Sequence, residues 1–187
     1  MIIESIITTR NLDGSAHVAP MGVIWRDDKP ILAPFRPSIT LDNLILEQSA
    51  VINHTDDVRI FAGCLTGRSI WPVRPTERVN GWVLEAALAH QELVVERVEE
   101  DPVRPRFTGR ILEAFAHHPF PGFNRAQAAV IEAAILVSRL DLLPPQKIAS
   151  EIAYLEIAIT KTAGPREREA WGWLMEKVAA HQGRKDQ

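Results

Sequence analysis

Phe35-Arg36-Pro37-Ser38-Ile39-Thr40-Leu41-Asp42-Asn43-Leu44 sets a cation and two hydroxyls directly ahead of a helix-forming run. Leu41, Leu44 and Ile45 share one helical face, and their spacing predicts a helix over residues 40–49 with Thr40 as its N-cap. The first N–H groups of such a helix find no acceptor inside it, and its dipole makes that end positive. A fixed cation, short side-chain donors and unpaired backbone N–H groups are what a phosphate monoester requires. The same residues also describe an ordinary cap, since Ser and Thr stand at helix starts in general. On this segment alone both readings are open.

Working outward, the chain up to about residue 118 reads as short β-like runs broken by turns. Residues 2–9 are rich in β-branched side chains and end at Asn11-Leu12-Asp13-Gly14, a hairpin signal because Asp-Gly accepts the positive φ of such turns. Residues 16–25 form the return strand. After the turn at 26–30, a short strand over 31–35 follows, confined by Pro34 to an edge, an end or a bulge. A buried strand is expected over 50–53 and a short helix over 56–65, with acids at its front where they suit the dipole. Runs at 81–89, 92–99 and 107–116 complete an antiparallel β-barrel. The many charges of 92–99 predict a wet side or an edge position for that strand.

Beyond His117-His118-Pro119 the pattern becomes helical. Asn124 and Gln127 form an N-cap pair, Pro144-Pro145 ends one helix and opens the next, and Gly164-Pro165 opens a third. Arg166-Glu167-Arg168-Glu169 reads as a charged face of that last helix. The fold class is therefore α+β, with a barrel domain at 1–118 and a helical domain at 119–187. Three amphipathic helices must bury their apolar faces on each other, on the barrel or on another chain.

Composition narrows the function. Across 187 residues, 21 Lys+Arg stand against 24 Asp+Glu, a formal charge of −3 that provides no basic field for a nucleic acid or an anionic membrane. The start has no basic n-region, and no apolar run approaches the length of a membrane span, so a cytoplasmic location is expected. Cys64 is the only cysteine, which excludes an intramolecular disulfide. No HxH or HxxxH ligand pair appears, and no metal site is expected. The G-x-S-x-G, G-x-x-x-x-G-K-[ST] and G-x-G-x-x-G fingerprints are all missing.

Two further stretches carry candidate chemistry. His17-Val18-Ala19-Pro20-Met21-Gly22-Val23 places Pro and Gly inside a strand, which marks either a bulge or a wall where a flat ring lies against backbone. Val51-Ile52-Asn53-His54-Thr55-Asp56-Asp57 ends a buried strand in polar residues able to meet a heterocycle edge or to serve only the backbone. In the order 17–22, 34–44 and 51–57, with Pro121-Gly122-Phe123-Asn124-Arg125-Ala126 and Lys161-Thr162-Ala163-Gly164-Pro165 in the tail, the chain resembles the DUF447 family of split-barrel flavoproteins.

That resemblance implies an FMN-binding split β-barrel of antiparallel, Greek-key type with a C-terminal helical bundle. It also implies a homodimer that holds the flavin near the subunit interface. By position, Arg36, Ser38 and Thr40 would hold the FMN phosphate, Pro20, Met21 and Gly22 would lie along the isoalloxazine, and Asn53 and Thr55 would meet the ring edge or ribityl chain. The resemblance implies no established reaction; the expected function is an FMN-dependent oxidoreductase of unknown substrate, with a role near tetrahydromethanopterin-linked one-carbon metabolism suggested by analogy alone. The alternative is a non-catalytic module that binds FMN or another phosphorylated ligand and carries a helical assembly tail.

Overall fold

The computed structural model describes residues 1–185. In chain order it contains β1 (Ile2–Arg10), β2 (Ala16–Arg26), β3 (Lys29–Leu32), α1 (Ile39–Glu47), β4 (Ser49–His54), α2 (Arg59–Leu65), β5 (Val73–Pro75), β6 (Trp82–Leu84), β7 (Ala89–Glu99), β8 (Arg106–Ala116), α3 (Arg125–Val137), α4 (Pro145–Thr162) and α5 (Pro165–Lys185). These elements fall into two compact units. One comprises Met1–Thr55 with Ser69–Phe120, and the other comprises Asp56–Arg68 with the chain from Pro121 onward.

In the first unit six antiparallel strands close into a barrel in the order β1-β2-β3-β8-β7-β4. The β1–β2 hairpin turns through Gly14 at φ +87°, and the Asp13 carboxylate accepts the Ser15 N–H at 2.9 Å. From there the ladder runs without a register break from Arg10 opposite Ala16 to Ile2 opposite Ile24. Pro20 and Gly22 thus sit in a regular strand, not at a bulge. A Cβ on Gly22 would come within 2.8 Å of Ile2 Cγ2 and 3.1 Å of Glu4 Oε1, so a side chain there would require those exposed side chains of the neighbouring strand to shift. Register shifts occur instead between β7 and β8, at Glu92/Leu93 and Val95/Arg97.

Alternation sorts the barrel's residues into two faces. Ile7, Val23, Leu32, Ile52, Leu93 and Phe107 form the inner core, which α1 completes with Leu41 and Leu44. The helix begins one residue earlier than its spacing predicted, at Ile39, with Ser38 as the cap. The third strand stops at Leu32, short of Pro34. There the Ala33 carbonyl accepts two N–H bonds from the Arg104 guanidinium, at 3.0 and 2.8 Å, in place of a strand partner.

The opposite face of β1, β4 and β7 is covered by the small hairpin of β5 and β6, a two-stranded sheet of its own. Its β6 strand donates the Leu84 N–H to Asn53 Oδ1 at 2.9 Å and accepts the Thr8 hydroxyl at the Trp82 carbonyl. This hairpin explains why part of β7 is dry. Glu92, expected on a wet strand, is fully buried, while residues 96–99 are exposed as the charge pattern foretold.

The second unit is helical. Val58 and Ala62 at α2 join Ala126, Val130 and Ala133 of α3, Ile148 and Ile159 of α4, and Trp171 and Leu174 of α5 in one apolar core. Residues 56–68 therefore pack with the C-terminal helices, although the sequence order puts them inside the barrel half. Asn124 caps α3 by accepting the Ala126 N–H at 2.8 Å. Glu167, expected on a charged surface, is buried. Its carboxylate accepts the Gly164 N–H at 2.9 Å and the Gln127 amide at 3.3 Å, which satisfies the start of α5.

Leu93 sits wholly inside the barrel. Leu93→Ala is expected to cost about 2–5 kcal/mol, read as a lower urea midpoint with an unchanged m-value.

Candidate functional site

The start of α1 gathers several hydrogen-bond donors on the barrel unit. Ser38 is extended, at φ −161° and ψ 151°, and its hydroxyl oxygen accepts the Leu41 N–H at 3.2 Å. The Ile39 and Thr40 N–H groups precede the first intrahelical bond and have no acceptor in the helix. Thr40 is buried, with its hydroxyl 3.1 Å from His17 Nε2 on β2. Burial holds the His17 pKa below its ordinary value, so the ring stands neutral beside that hydroxyl.

Arg36 is fixed at its backbone and loose at its tip. Its N–H donates to the Val103 carbonyl at 2.9 Å, while its guanidinium is 42% exposed and pairs with Glu100, itself 80% exposed, at 3.2 Å. Such a surface pair is worth at most about 1 kcal/mol. It leaves the guanidinium able to turn to a stronger anion. Next to it the Arg104 guanidinium lies 4.4 Å over the Phe35 ring. Hydroxyls, helix-start N–H groups and a movable arginine make up the donor set a phosphate monoester needs, so the residues present fit the phosphate of FMN.

The other sequence-marked residues lie elsewhere in the barrel wall. Pro20 and Asn53 flank Ile6 from the two neighbouring strands, and Met21 packs against the inner core. Asn53 is 0% exposed and fully engaged. Its amide donates to the Ile6 carbonyl and the Thr8 hydroxyl, both at 3.1 Å, and its Oδ1 accepts the Leu84 N–H. It joins β1, β4 and β6, and a ligand could reach it only by displacing the hairpin. The Thr55 hydroxyl donates to the Ala86 carbonyl at 2.7 Å. The structure thus groups Ser38 and Thr40 at one helix start with Arg36 on the adjoining loop. Asn53 belongs to the wall beneath the hairpin.

Sequence reading missed two sets of residues. His17 stands in the 17–23 motif, but its pairing with Thr40 depends on a hairpin register that brings it opposite Thr9. The chain of buried Glu92 and His90 with half-buried His117 and Arg74 was missed because its members are scattered over three segments. The available signal was the alternation of β7, which puts His90 and Glu92 on one face. Among the described residues, no group of three or more His, Cys, Asp or Glu is placed to hold a metal ion.

Residues 3–118 match the N-terminal domain of DUF447, and residues 124–176 match a second DUF447 region, both described as protein of unknown function. The chain belongs to the DUF447 family. Among solved structures it is similar to an FMN-bound DUF447 protein from Methanosarcina mazei, at 22% identity, a TM-score of 0.83 and 94% coverage of both chains. It is also similar to the flavoredoxin of Methanosarcina acetivorans, at 15% identity and a TM-score of 0.52, covering 62% of this chain and 69% of that one. The flavin reductase of styrene monooxygenase from Pseudomonas putida gives 15% identity and a TM-score of 0.51, over 62% and 80% of the two chains. These likenesses establish the split-barrel fold, and the first extends it through the helical region. No curated protein matches the chain.

The bonding of Asn53 within this DUF447 barrel makes it a structural residue. Asn53→Ala strands the buried Leu84 N–H and is expected to cost about 1–3 kcal/mol. Chemical denaturation at neutral pH measures the loss, and a variant as stable as the parent would refute the role.

Proposed function

We propose that this chain is an FMN-binding flavoprotein that works as an oxidoreductase. The observation that carries the reading is the near full-length similarity to a DUF447 protein whose structure holds FMN. The donor set at the start of α1 supports it. When bound, FMN would supply hydride or single-electron transfer, and the protein would supply binding, orientation and the local field.

In this reading Ser38, Thr40 and the first N–H groups of α1 receive the phosphate, and Arg36 leaves Glu100 to pair with it. The backbone of Pro20, Met21 and Gly22 lies along the flat ring, once the exposed ends of Ile2 and Glu4 move off Gly22. Asn53 acts behind this surface by holding β1, β4 and β6 together. Thr55 serves the chain between β6 and β7.

The same proposal has the chain act as a cytoplasmic homodimer with the flavin near the subunit interface. Phe35, Ile39, Ile45 and Leu46 at and around α1 are each more than half exposed, and such a patch supports a partner surface there. Among the described residues no helix is long and apolar enough to cross a membrane. The link to tetrahydromethanopterin-dependent one-carbon metabolism belongs to the proposal too, and rests on family resemblance alone.

Arg36→Ala is expected to weaken FMN binding about tenfold or more, the loss of one charge-assisted contact. Isothermal calorimetry with FMN, beside an absorption spectrum of the purified protein, measures it. A colourless protein that releases no heat with FMN would overturn the reading. Bound flavin that resists reduction by NADH, NADPH and low-potential donors would leave a binding module in place of an enzyme.

A further inference from the structure

The tip of the β5–β6 hairpin is held on the barrel by one carboxylate. Glu92 of β7, 0% exposed, accepts the backbone N–H groups of Glu77, Arg78 and Val79 at 2.9, 2.7 and 3.0 Å. These three residues lie in the turn between β5 and β6. The anchor continues through a chain of titratable groups. His90 Nε2 lies 3.3 Å from Glu92 Oε1, and His90 Nδ1 lies 2.8 Å from His117 Nε2. Arg74 of β5 brings its Nη2 within 2.9 Å of the same His117 nitrogen. The His90 ring stacks on Phe115 with centroids 4.6 Å apart and lies nearly parallel to the His117 ring, whose centroid is 5.0 Å away.

We propose that the Glu92-His90-His117-Arg74 chain is a pH-sensitive latch that keeps the β5–β6 hairpin closed on the barrel at neutral pH and releases its tip on acidification.

The argument starts from donors and acceptors. A guanidinium can only donate, so its bond to His117 requires a lone pair on Nε2, and His90 Nδ1, 2.8 Å from the same nitrogen, must then carry a proton and share that acceptor. A proton added there removes the acceptor and sets an imidazolium against Arg74. A proton added to Glu92 removes the charge to which three N–H dipoles point, and a neutral acid has one oxygen fewer to accept with. Each protonation weakens one hold on the hairpin.

The remaining charged groups facing the chain do not reverse this. Glu77 favours a charged His90 and His117, while Arg74 and the exposed His118 oppose a charge on His117. The exposed Arg78 pairs with Glu113 of β8 at 3.1 Å, a surface contact of little strength.

The titration directions agree. Burial lowers the pKa of His90 and of His117, and Arg74 lowers His117 further. For Glu92 burial pushes upward, but the three backbone N–H bonds and His90 outweigh it and leave the pKa lowered. The closed form therefore takes up these protons less readily than the open form. The latch is at full strength above about pH 6.5, weakens as the pH falls below the ordinary imidazole value, and weakens again below the ordinary glutamate value. At the base of the hairpin the Arg74–His117 bond titrates, but the bonds of Asn53 and Thr8 with Leu84 and Trp82 on either side of it do not, and they keep the base attached.

Hydrogen exchange of the full-length protein, corrected for intrinsic rates, tests the proposal between about pH 7.5 and about pH 4.5. The Glu77, Arg78 and Val79 amides are expected to lose at least about tenfold in protection relative to β4 and β7 amides across that range. Glu92→Gln should show that loss already at neutral pH. His117→Phe keeps an aromatic ring on His90 without the titrating nitrogen, and should move the opening midpoint down toward the carboxylate range. If Glu92→Gln fails to fold, the wild-type profile and His117→Phe decide the question. Protection at 77–79 that is flat with pH, or that falls only together with the whole barrel, would overturn the latch.

Discussion

Barrel closure depends on the short seam where β1 meets β4, with Ile6 opposite Asn53, Ile7 opposite Ile52 and Thr8 opposite Val51. With β2 on its other edge, β1 is bonded on both sides and no free strand edge is left there. Because side chains alternate along both strands, the seam fixes two faces at once. Ile7 and Ile52 are committed to the inner core, and Asn53 and Thr8 are turned outward. A slip of one residue would bury Asn53 among leucines and isoleucines, so the pattern excludes a shift by an odd number of residues.

That commitment creates a second demand. The outward face of β1, β4 and β7 carries Thr8, Asn53, His90 and Glu92, and all of them are buried under the β5–β6 hairpin. Buried polar groups are tolerated only when bonded, and the hairpin brings the missing partners in its own backbone. Leu84 and Trp82 serve Asn53 and Thr8, and the turn at 77–79 serves Glu92. The hairpin is therefore held by these polar contacts together with its buried Val83 and Leu84, on a face that lies outside the barrel's inner core. Its tip at Glu77, Arg78 and Val79 contributes no member of the inner core.

Much of this architecture could be read in the sequence because its signals are local. Asp13-Gly14 announces the first hairpin, the face of Leu41 and Leu44 announces α1, and Asn124, Pro145 and Pro165 mark the helix starts of the tail. What escaped was whatever depends on contacts distant in sequence. Trp71-Pro72-Val73-Arg74-Pro75 has no alternation long enough to predict a strand, yet Val73–Pro75 pairs with β6. Glu92 looks like the first charge of a wet strand, and only the hairpin folding over it makes it dry. The candidate phosphate site was legible as a cluster at 36–40. The engagement of Asn53 and the His17–Thr40 contact were not, since each depends on a register set elsewhere.

The donor set at α1 also shows how a chain with net negative charge can present an anion site. With a formal charge of −3, long-range attraction does not help, and the field must come from groups within a few ångströms. Unpaired helix-start N–H groups serve this end because their dipoles are fixed by the helix and cost nothing to orient. Arg36 complements them, since its backbone is tied to Val103 while its guanidinium is committed only to an exposed glutamate. Exchanging that solvent-screened pair for a dianion next to a helix start replaces a weak contact with a stronger one, and the neutral His17 behind Thr40 adds no repulsion. In the proposed reading, a phosphorylated ligand would be selected by this local arrangement and not by the charge of the protein as a whole.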